Sequence, residues 1–245
     1  LRKATSIAFG ALFAVLTIRI YVPNPQSLLV ASGIVGAGIA VALQDLFKNF
    51  VGGIIIFVNG LYKVGDRIEV ENKCGDVVDV GLLTTTLMEL KEWVGADQPT
   101  GRLSILPNGI ALSKTINNYT KDYSFIWDEI TIPIAYESDW RKARDILLSV
   151  IRSETKTATE QSEQEMSRLE NKYFFTRRQS EPAVYVALTD NWVSISARYT
   201  TDPKERRIVH NAISKRLLDE LEKAKIGIAS QTISIVDFPT IRVKK

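Results

Sequence analysis

The 245-residue sequence has a single cysteine, Cys74, and a single histidine, His210. That scarcity excludes a disulfide framework and any Cys/His metal cluster, so a structural role is expected for each of the two. The sequence also lacks a Gly-x-x-x-x-Gly-Lys-Ser/Thr phosphate loop, a His-Glu-x-x-His pair and a Gly-x-Ser-x-Gly elbow. Nucleotide hydrolysis, zinc peptidase chemistry and α/β-hydrolase chemistry are therefore without their usual residues. Strong charge of one sign is missing too: the net charge of +3 does not by itself point to nucleic acid. No catalytic, cofactor-binding or metal-ligating residue stands out, and the expectation is a protein that is not an enzyme and carries no cofactor. Asp66, Glu69, Asp76 and Asp79 cluster in sequence, but on short strands a solvated face is the stronger reading than acid/base work. The "ERR" run at 205–207 reads as i,i+4 pairing on the wet side of a helix rather than as a phosphate site.

The apolar residues concentrate in the first sixty positions, while the remainder has an ordinary soluble composition. Thr5 to Ile18 carries no charge and is followed by a turn set by Pro23 and Pro25. Leu28 to Leu43 is a second charge-free run. Fourteen helical residues reach about 21 Å, short of a hydrocarbon core of roughly 30 Å. Such a helix spans only if Arg19, Tyr21 and the basic start sit in the interfaces. A secretory signal is the poorer reading, since no small-residue cleavage site follows and a second apolar run comes at once. Two such runs joined by a short turn predict a membrane hairpin. Arg2 and Lys3 at one end, with Lys48, Lys63 and Arg67 after the hairpin, put that side in the cytoplasm. The chain begins at Leu1 without a methionine, and an upstream segment is expected.

Gly33, Gly36, Gly38 and Ala40 lie in the second run. Each glycine weakens a helix in water by about 1 kcal/mol, whereas in a membrane small residues let backbones approach. Small residues spread around much of a helix suit neighbours on several sides, as in a ring of identical helices. A single contact with the preceding helix is the plainer alternative. "QDLFKN" follows, and Asp45 and Lys48 are expensive at membrane depth, so the span ends near Gln44. Beyond it, Leu46, Phe47, Phe50, Val51 and Ile54 share one side of a helix suited to the interface.

From Gly60 the pattern changes to "RIEV", "GDVVDV", "LLTTTLMEL" and "RLSIL", short strands separated by turn residues. They predict a small antiparallel barrel or sheet of about sixty residues. "LPNG", Leu106 to Gly109, reads as a turn in which Asn-Gly supports positive φ. From Phe125 the order reads strand, helix, strand, strand, helix, strand, a ferredoxin-like α+β plan. The first helix shows Ile146, Leu147, Val150 and Ile151 on one face, and the last is capped by Asp202, with Pro203 in its first turn and Gly227 as its stop. "TATEQSEQEMSRLENKYFFTRRQ" reads as an exposed helix or loop, "QTISIV" as the closing strand, and "TIRVKK" as a strand for a shared barrel.

The glycine/alanine helix ending in "ALQ", then "KNFVGGIII", "GDRIEV", "GDVVDVGLLTTTL" and "ILPNG", in that order, resemble the small-conductance mechanosensitive ion channel (MscS-like) family from about Ser27 onward. The resemblance implies a homoheptameric pore opened by membrane tension, which releases ions and small osmolytes on hypo-osmotic shock. It implies three regions: 1–58 as the last peripheral helix, a pore helix kinked near 44–46 and an interfacial half-helix; 59–122 as a Sm-like β domain; and 123–245 as an α/β cytoplasmic vestibule. It places Ala37 and Val41 where the family carries its bulky apolar rings, so a seal here falls to Val41, helped by Ile34. Where the family helix kinks at a glycine, this chain has Asp45, next to Gln44. Seven copies of Asp45 facing the lumen would favour cations; facing outward, Asp45 caps the following half-helix. Phe47, Phe50 and Ile54 become the lipid contacts that couple tension to the pore. "KEWVGADQPTG" is a longer hairpin loop than the family leads one to expect. Membrane lipids, permeant ions and further copies of the chain are the implied partners, in a cell membrane with the C-terminal part cytoplasmic and no nucleic acid. The alternatives from other classes are a membrane-anchored ring that does not conduct and a Sm-like ring that binds RNA.

Overall fold

The computed structural model describes residues 2–21, 25–95, 97–172 and 180–230. Three helices come first: α1 (Arg2–Tyr21), α2 (Pro25–Ala42) and α3 (Gln44–Asn59). Gly60 ends α3 in the left-handed conformation, φ 54°, where a residue without Cβ meets no steric penalty. Among the described residues no single helix is long and apolar enough to cross a membrane; Thr5–Thr17 is a shorter apolar helix. Leu29–Ala42 and Gln44–Asn59 pass together by length and composition, bent by 51°.

Five strands follow: β1 (Arg67–Val70), β2 (Lys73–Val80), β3 (Thr84–Leu90), β4 (Pro99–Pro107) and β5 (Ile116–Asn118), with a 3-10 turn at Asn108–Leu112. They form one sheet in the order β4-β3-β2-β1-β5, antiparallel at every pairing. Alternation along the strands sends Ile68, Val70, Val77 and Leu87 inward, and Tyr62 and Ile56 complete that core. Ile56 belongs to α3, so the third helix is packed into the sheet's own interior. Of the carboxylates expected on a solvated face, Asp79 is exposed, while the other three do structural work. Asp66 is buried and accepts from the Lys63 amide and Asn118 Nδ2. Asp76 pairs with Arg67, and Glu69 accepts from Tyr119.

The second unit contains β6 (Ile126–Ile134), α4 (Trp140–Glu154), α5 (Lys156–Lys172), β7 (Ala183–Leu188), β8 (Val193–Thr201) and α6 (Arg206–Lys223). Its sheet order is β6-β8-β7, antiparallel throughout. The inward side chains Ile130, Ile132, Ile134, Val193, Ile195 and Ala197 pack with Leu147, Val150 and Ile151 of α4 and Ile213, Leu217 and Leu221 of α6. The Asp139 carboxylate accepts from the Arg141 and Lys142 amides and starts α4, a cap worth about 1 kcal/mol. The described part of the charged segment after α4, to Lys172, is the helix α5, with Met166 buried. Helix α6 begins later than expected. Asp202 caps a preceding turn by accepting from the Lys204 amide, and the helix ends at Lys223, with Lys225 in the left-handed conformation, φ 58°, before Gly227. A bridge from Ile134 to Ile228 lies on the open side of β6. "QTISIV" and "TIRVKK" lie outside the described residues.

Candidate functional site: a bent helix and its joint to the sheet

The chain turns at Leu43, with φ −94° and ψ 0°. That ψ is far from the helical value near −42°, and it swings α3 away from the α2 axis. The ladder is kept on either side, since Leu43 N donates to Ile39 O at 2.9 Å and Phe47 N donates to Leu43 O at 3.1 Å. The bend therefore needs no glycine and falls one residue before Gln44. Asp45 lies in the first turn of α3, where a carboxylate complements the helix dipole, and both Gln44 and Asp45 are exposed.

On α2, Ile34, Ala37, Val41 and Ala40 are all exposed. A Cβ added at Gly33, Gly36 or Gly38 would meet nothing within 4 Å. The glycines therefore do not serve a contact between α2 and any other described part of the same chain.

Helix α3 is different. Asn49, Gly52, Gly53 and Ile56 recur at i, i+3, i+4 and i+7, so they form one stripe, and the last three are buried. A Cβ on Gly52 would lie 2.2 Å from Asn108 O, and one on Gly53 would lie 2.4 Å from Leu82 O. The helix backbone thus rests directly on the sheet's loops. Asn49 Oδ1 accepts from the Gly109 amide at 2.8 Å. Gly109 does not have positive φ; its lack of Cβ matters because an added one would sit 2.7 Å from Asn49 Oδ1. "LPNG" is thus the seat of α3 rather than a turn that needs positive φ.

Beneath this seat lies a buried polar chain. Asn108 Nδ2 donates to Gly81 O at 2.8 Å, and Asn108 Oδ1 accepts from Thr85 Oγ1 at 2.8 Å. Since Thr85 has one hydroxyl proton and gives it to Asn108, the 2.9 Å contact with Tyr62 OH has tyrosine as donor. Burial pushes the Tyr62 pKa up, against the hydrogen bond to Thr85, so the phenol remains a donor at neutral pH. Every member is neutral and satisfied, which makes the joint stiff. On its far side α3 leaves Phe47, Phe50 and Ile54 exposed, 61%, 39% and 43% respectively. One helix thus has a small, docked face and an uncovered apolar face.

Sequence reasoning named the apolar face and missed the docked one. The available signal was the adjacent pair Gly52-Gly53, spaced three and four residues from Asn49, in a helix otherwise made of large apolar residues. Asn118 Nδ2 ties β5 to the start of the sheet, donating to Leu61 O and Asp66.

A helix docked through glycines onto a five-stranded sheet, and continuous through a bend with a bare small-residue helix, defines a β-domain protein with an uncovered apolar helical extension. The family model "Mechanosensitive ion channel, beta-domain" matches residues 45–121, which begin with α3 and end after β5. An uncharacterized MscS family protein of Archaeoglobus fulgidus is 26% identical over 204 residues, 83% of this chain and 62% of that one. The small-conductance mechanosensitive channel MscMJ of Methanocaldococcus jannaschii is 25% identical over 159 residues, 63% of this chain and 41% of the relative. This chain therefore spans less than two thirds of either relative. The crystal structure of Helicobacter pylori MscS in its closed state shares the fold, with a TM-score of 0.68 at 20% identity over 97% of this chain and 83% of that one. Residues 45–121 thus match the mechanosensitive-channel β-domain, and the chain resembles MscS family proteins.

Proposed function

We propose that this chain is a subunit of a homo-oligomeric ion channel opened by membrane tension, without enzymatic activity or cofactor. The observation that carries this reading is the state of α2: its glycines face open space and its apolar side chains are uncovered. Such a helix is supported only by lipid and by other copies of itself. Packing several α2 helices around an axis uses Gly33, Gly36, Gly38 and Ala40 for close approach, and seven copies follow from the family resemblance. Val41, with Ala37 and Ile34, then lines a narrow apolar throat that excludes water and blocks ions by dewetting. The α1–α2 segment spans the cell membrane, and the sheets lie on the cytoplasmic side, where the basic residues are.

Gating follows from the contrast within the bent helix. Because α3 is fixed to the sheet by Gly52, Gly53 and Asn49, its exposed Phe47, Phe50 and Ile54 transmit lateral pull from lipid to a stiff base. The compliant element is then Leu43, about which α2 tilts outward. Tension favours the state of larger in-plane area, and the throat at Val41 widens, releasing ions and small osmolytes on hypo-osmotic shock.

The test is patch-clamp of full-length protein in liposomes under suction. Openings that rise with tension are expected, and Val41→Asp is expected to hydrate the throat and lower the tension needed. Unchanged threshold and closed-state leak in that variant remove Val41 as the gate. Silence up to patch rupture, from protein shown to be assembled in the bilayer, replaces the channel with a non-conducting scaffold.

A further inference from the structure

The two sheets meet through charged side chains rather than through a shared apolar core. The described hydrogen bonds between them end on one short stretch, Pro203–Arg207, just before and within the first turn of α6. Arg67 Nη1 donates to Pro203 O at 2.5 Å, and Lys204 Nζ donates to Gly65 O at 2.8 Å. Arg206 Nη1 reaches Asp97 Oδ2 at 3.0 Å, and Arg207 Nη1 donates to Gly95 O at 2.6 Å. Gly95 and Asp97 belong to the long connection between β3 and β4, the one stretch that exceeds what the family resemblance led one to expect.

That connection is braced from its own side. Lys91 and Glu92 both have positive φ, 68° and 53°, a conformation that costs a non-glycine residue roughly 1–2 kcal/mol. Their side chains are held in place, Lys91 by Glu69 at 3.5 Å and Glu92 by Lys73 at 2.7 Å. Arg102 lies over the Trp93 ring at 5.0 Å and pairs with buried Glu89. The strained base has its outward reach set before it touches the second unit. On the other side, Arg206 Nε also holds Asp128 Oδ1 at 2.9 Å, while Tyr199 OH donates to Asp128 Oδ2 at 3.0 Å. The Asp97 and Asp128 side chains are 13% and 8% exposed, whereas Arg206 is 43% exposed. One partly exposed guanidinium thus bridges two nearly buried carboxylates, one from each unit.

We propose that Asp97–Arg206–Asp128 is an ionic-strength-sensitive hinge that sets the angle between the β sheet and the α/β unit. Electrostatic screening does not loosen an apolar interface, but an ion pair reached by solvent weakens as the screening length falls from about 30 Å at 0.01 M to about 3 Å at 1 M salt. Concentrated surroundings loosen the hinge, and dilution tightens it. The α/β unit is then braced on the sheet under the dilute conditions in which a tension-opened pore would be in use. The hinge itself does not depend on conduction.

Hydrogen exchange on assembled full-length protein tests this. The readouts are the amides of Arg206–His210 and of Lys91–Val94, with Ile130–Ile134 of β6 as a measure of the intact core. Asp97→Asn is expected to raise exchange at both hinge segments about fivefold, the scale of one ion pair. Wild type moved from about 0.05 M to about 1 M salt is expected to approach the variant, while β6 stays protected. Equal hinge protection in wild type at both salts overturns the proposal, as does a variant whose hinge exchange still responds to salt like wild type. If Asp97→Asn also unprotects β6, the wild-type salt series decides alone.

Discussion

Two glycine-rich stretches lie on either side of one bend, and they do opposite things. In α2, Gly33, Gly36 and Gly38 have open space where a Cβ would go; in α3, Gly52 and Gly53 have backbone within 2.4 Å of that position. The same residue type marks an unfilled surface in one half and a completed joint in the other. Glycine in a helix is a statement about distance to something else, and the something else need not be in the same chain. The contrast makes α3 part of the sheet's body and α2 a free arm, which is the division of labour a tension-driven tilt requires.

The sharpest way to break this contrast is Gly52→Ala. Its Cβ would meet the Asn108 carbonyl and the Gly109 amide, both backbone, so no flexible side chain can yield. We expect a loss of about 3 kcal/mol, at the upper end of overpacking penalties, read as a lower midpoint in thermal unfolding of the detergent-solubilised protein. An unchanged midpoint would show that α3 is not seated as described.

Asn108→Ala comes next. It leaves the Thr85 hydroxyl and the Gly81 carbonyl without their buried partner, at an expected cost of about 2 kcal/mol. The same unfolding measurement checks it, and a double variant with Gly52→Ala sharpens it. Both act on one joint, so their costs should fall short of adding.

How much of this was legible beforehand follows from what each signal depends on. Strands β1–β4 and β6–β8 announce themselves by local alternation, and the α4 face Leu147, Val150, Ile151 by local periodicity, so these were readable, whereas the three-residue β5 is too short to show a period and was not read. The resemblance supplied the order of the parts. The Gly52-Gly53 pair marked the docked stripe of α3, but its seat was not readable, because Asn108 and Leu82 lie tens of residues away. Arg206 and Arg207 read as helix-surface charges for the same reason: their partners Asp97 and Gly95 lie in another unit. The start of α6 was misplaced because Asp202 caps a turn that looks, in sequence, like the first turn of the helix.

The joint is built of neutral groups, whereas the opposite end of the same sheet is ionic, and pH separates the two. Glu89 is buried on β3; burial alone would raise its pKa, but hydrogen bonds from Lys73, Ser104 and Arg102 outweigh it and hold the carboxyl below the usual range. A folded-state pKa depressed in this way adds stability above the ordinary carboxylate pKa and loses it as pH falls through the folded value. Acid unfolding is therefore expected to start from the Glu89 end. Glu89→Gln should lower the midpoint at neutral pH and flatten its decline towards acid, while Asn108→Ala lowers the midpoint equally at every pH. Parallel acid limbs for wild type and Glu89→Gln would show that Glu89 is not the titrating group.

The smallest expected effect on stability is also the one that tests the free arm. Gly36→Ala adds a Cβ that meets nothing within 4 Å in the chain, and alanine favours the helix by roughly 1 kcal/mol. Within one subunit the change is neutral or slightly stabilising, the reverse of Gly52→Ala. If α2 helices pack on one another around an axis, the added methyl group sits where two backbones approach, and the cost appears only in the assembly. The expected signature is an unfolding midpoint within about 2 °C of wild type together with a shifted gating tension or a weakened oligomer on native mass spectrometry. A silent substitution in both measurements would mean that the small residues of α2 face lipid, and the ring of helices would lose its main support.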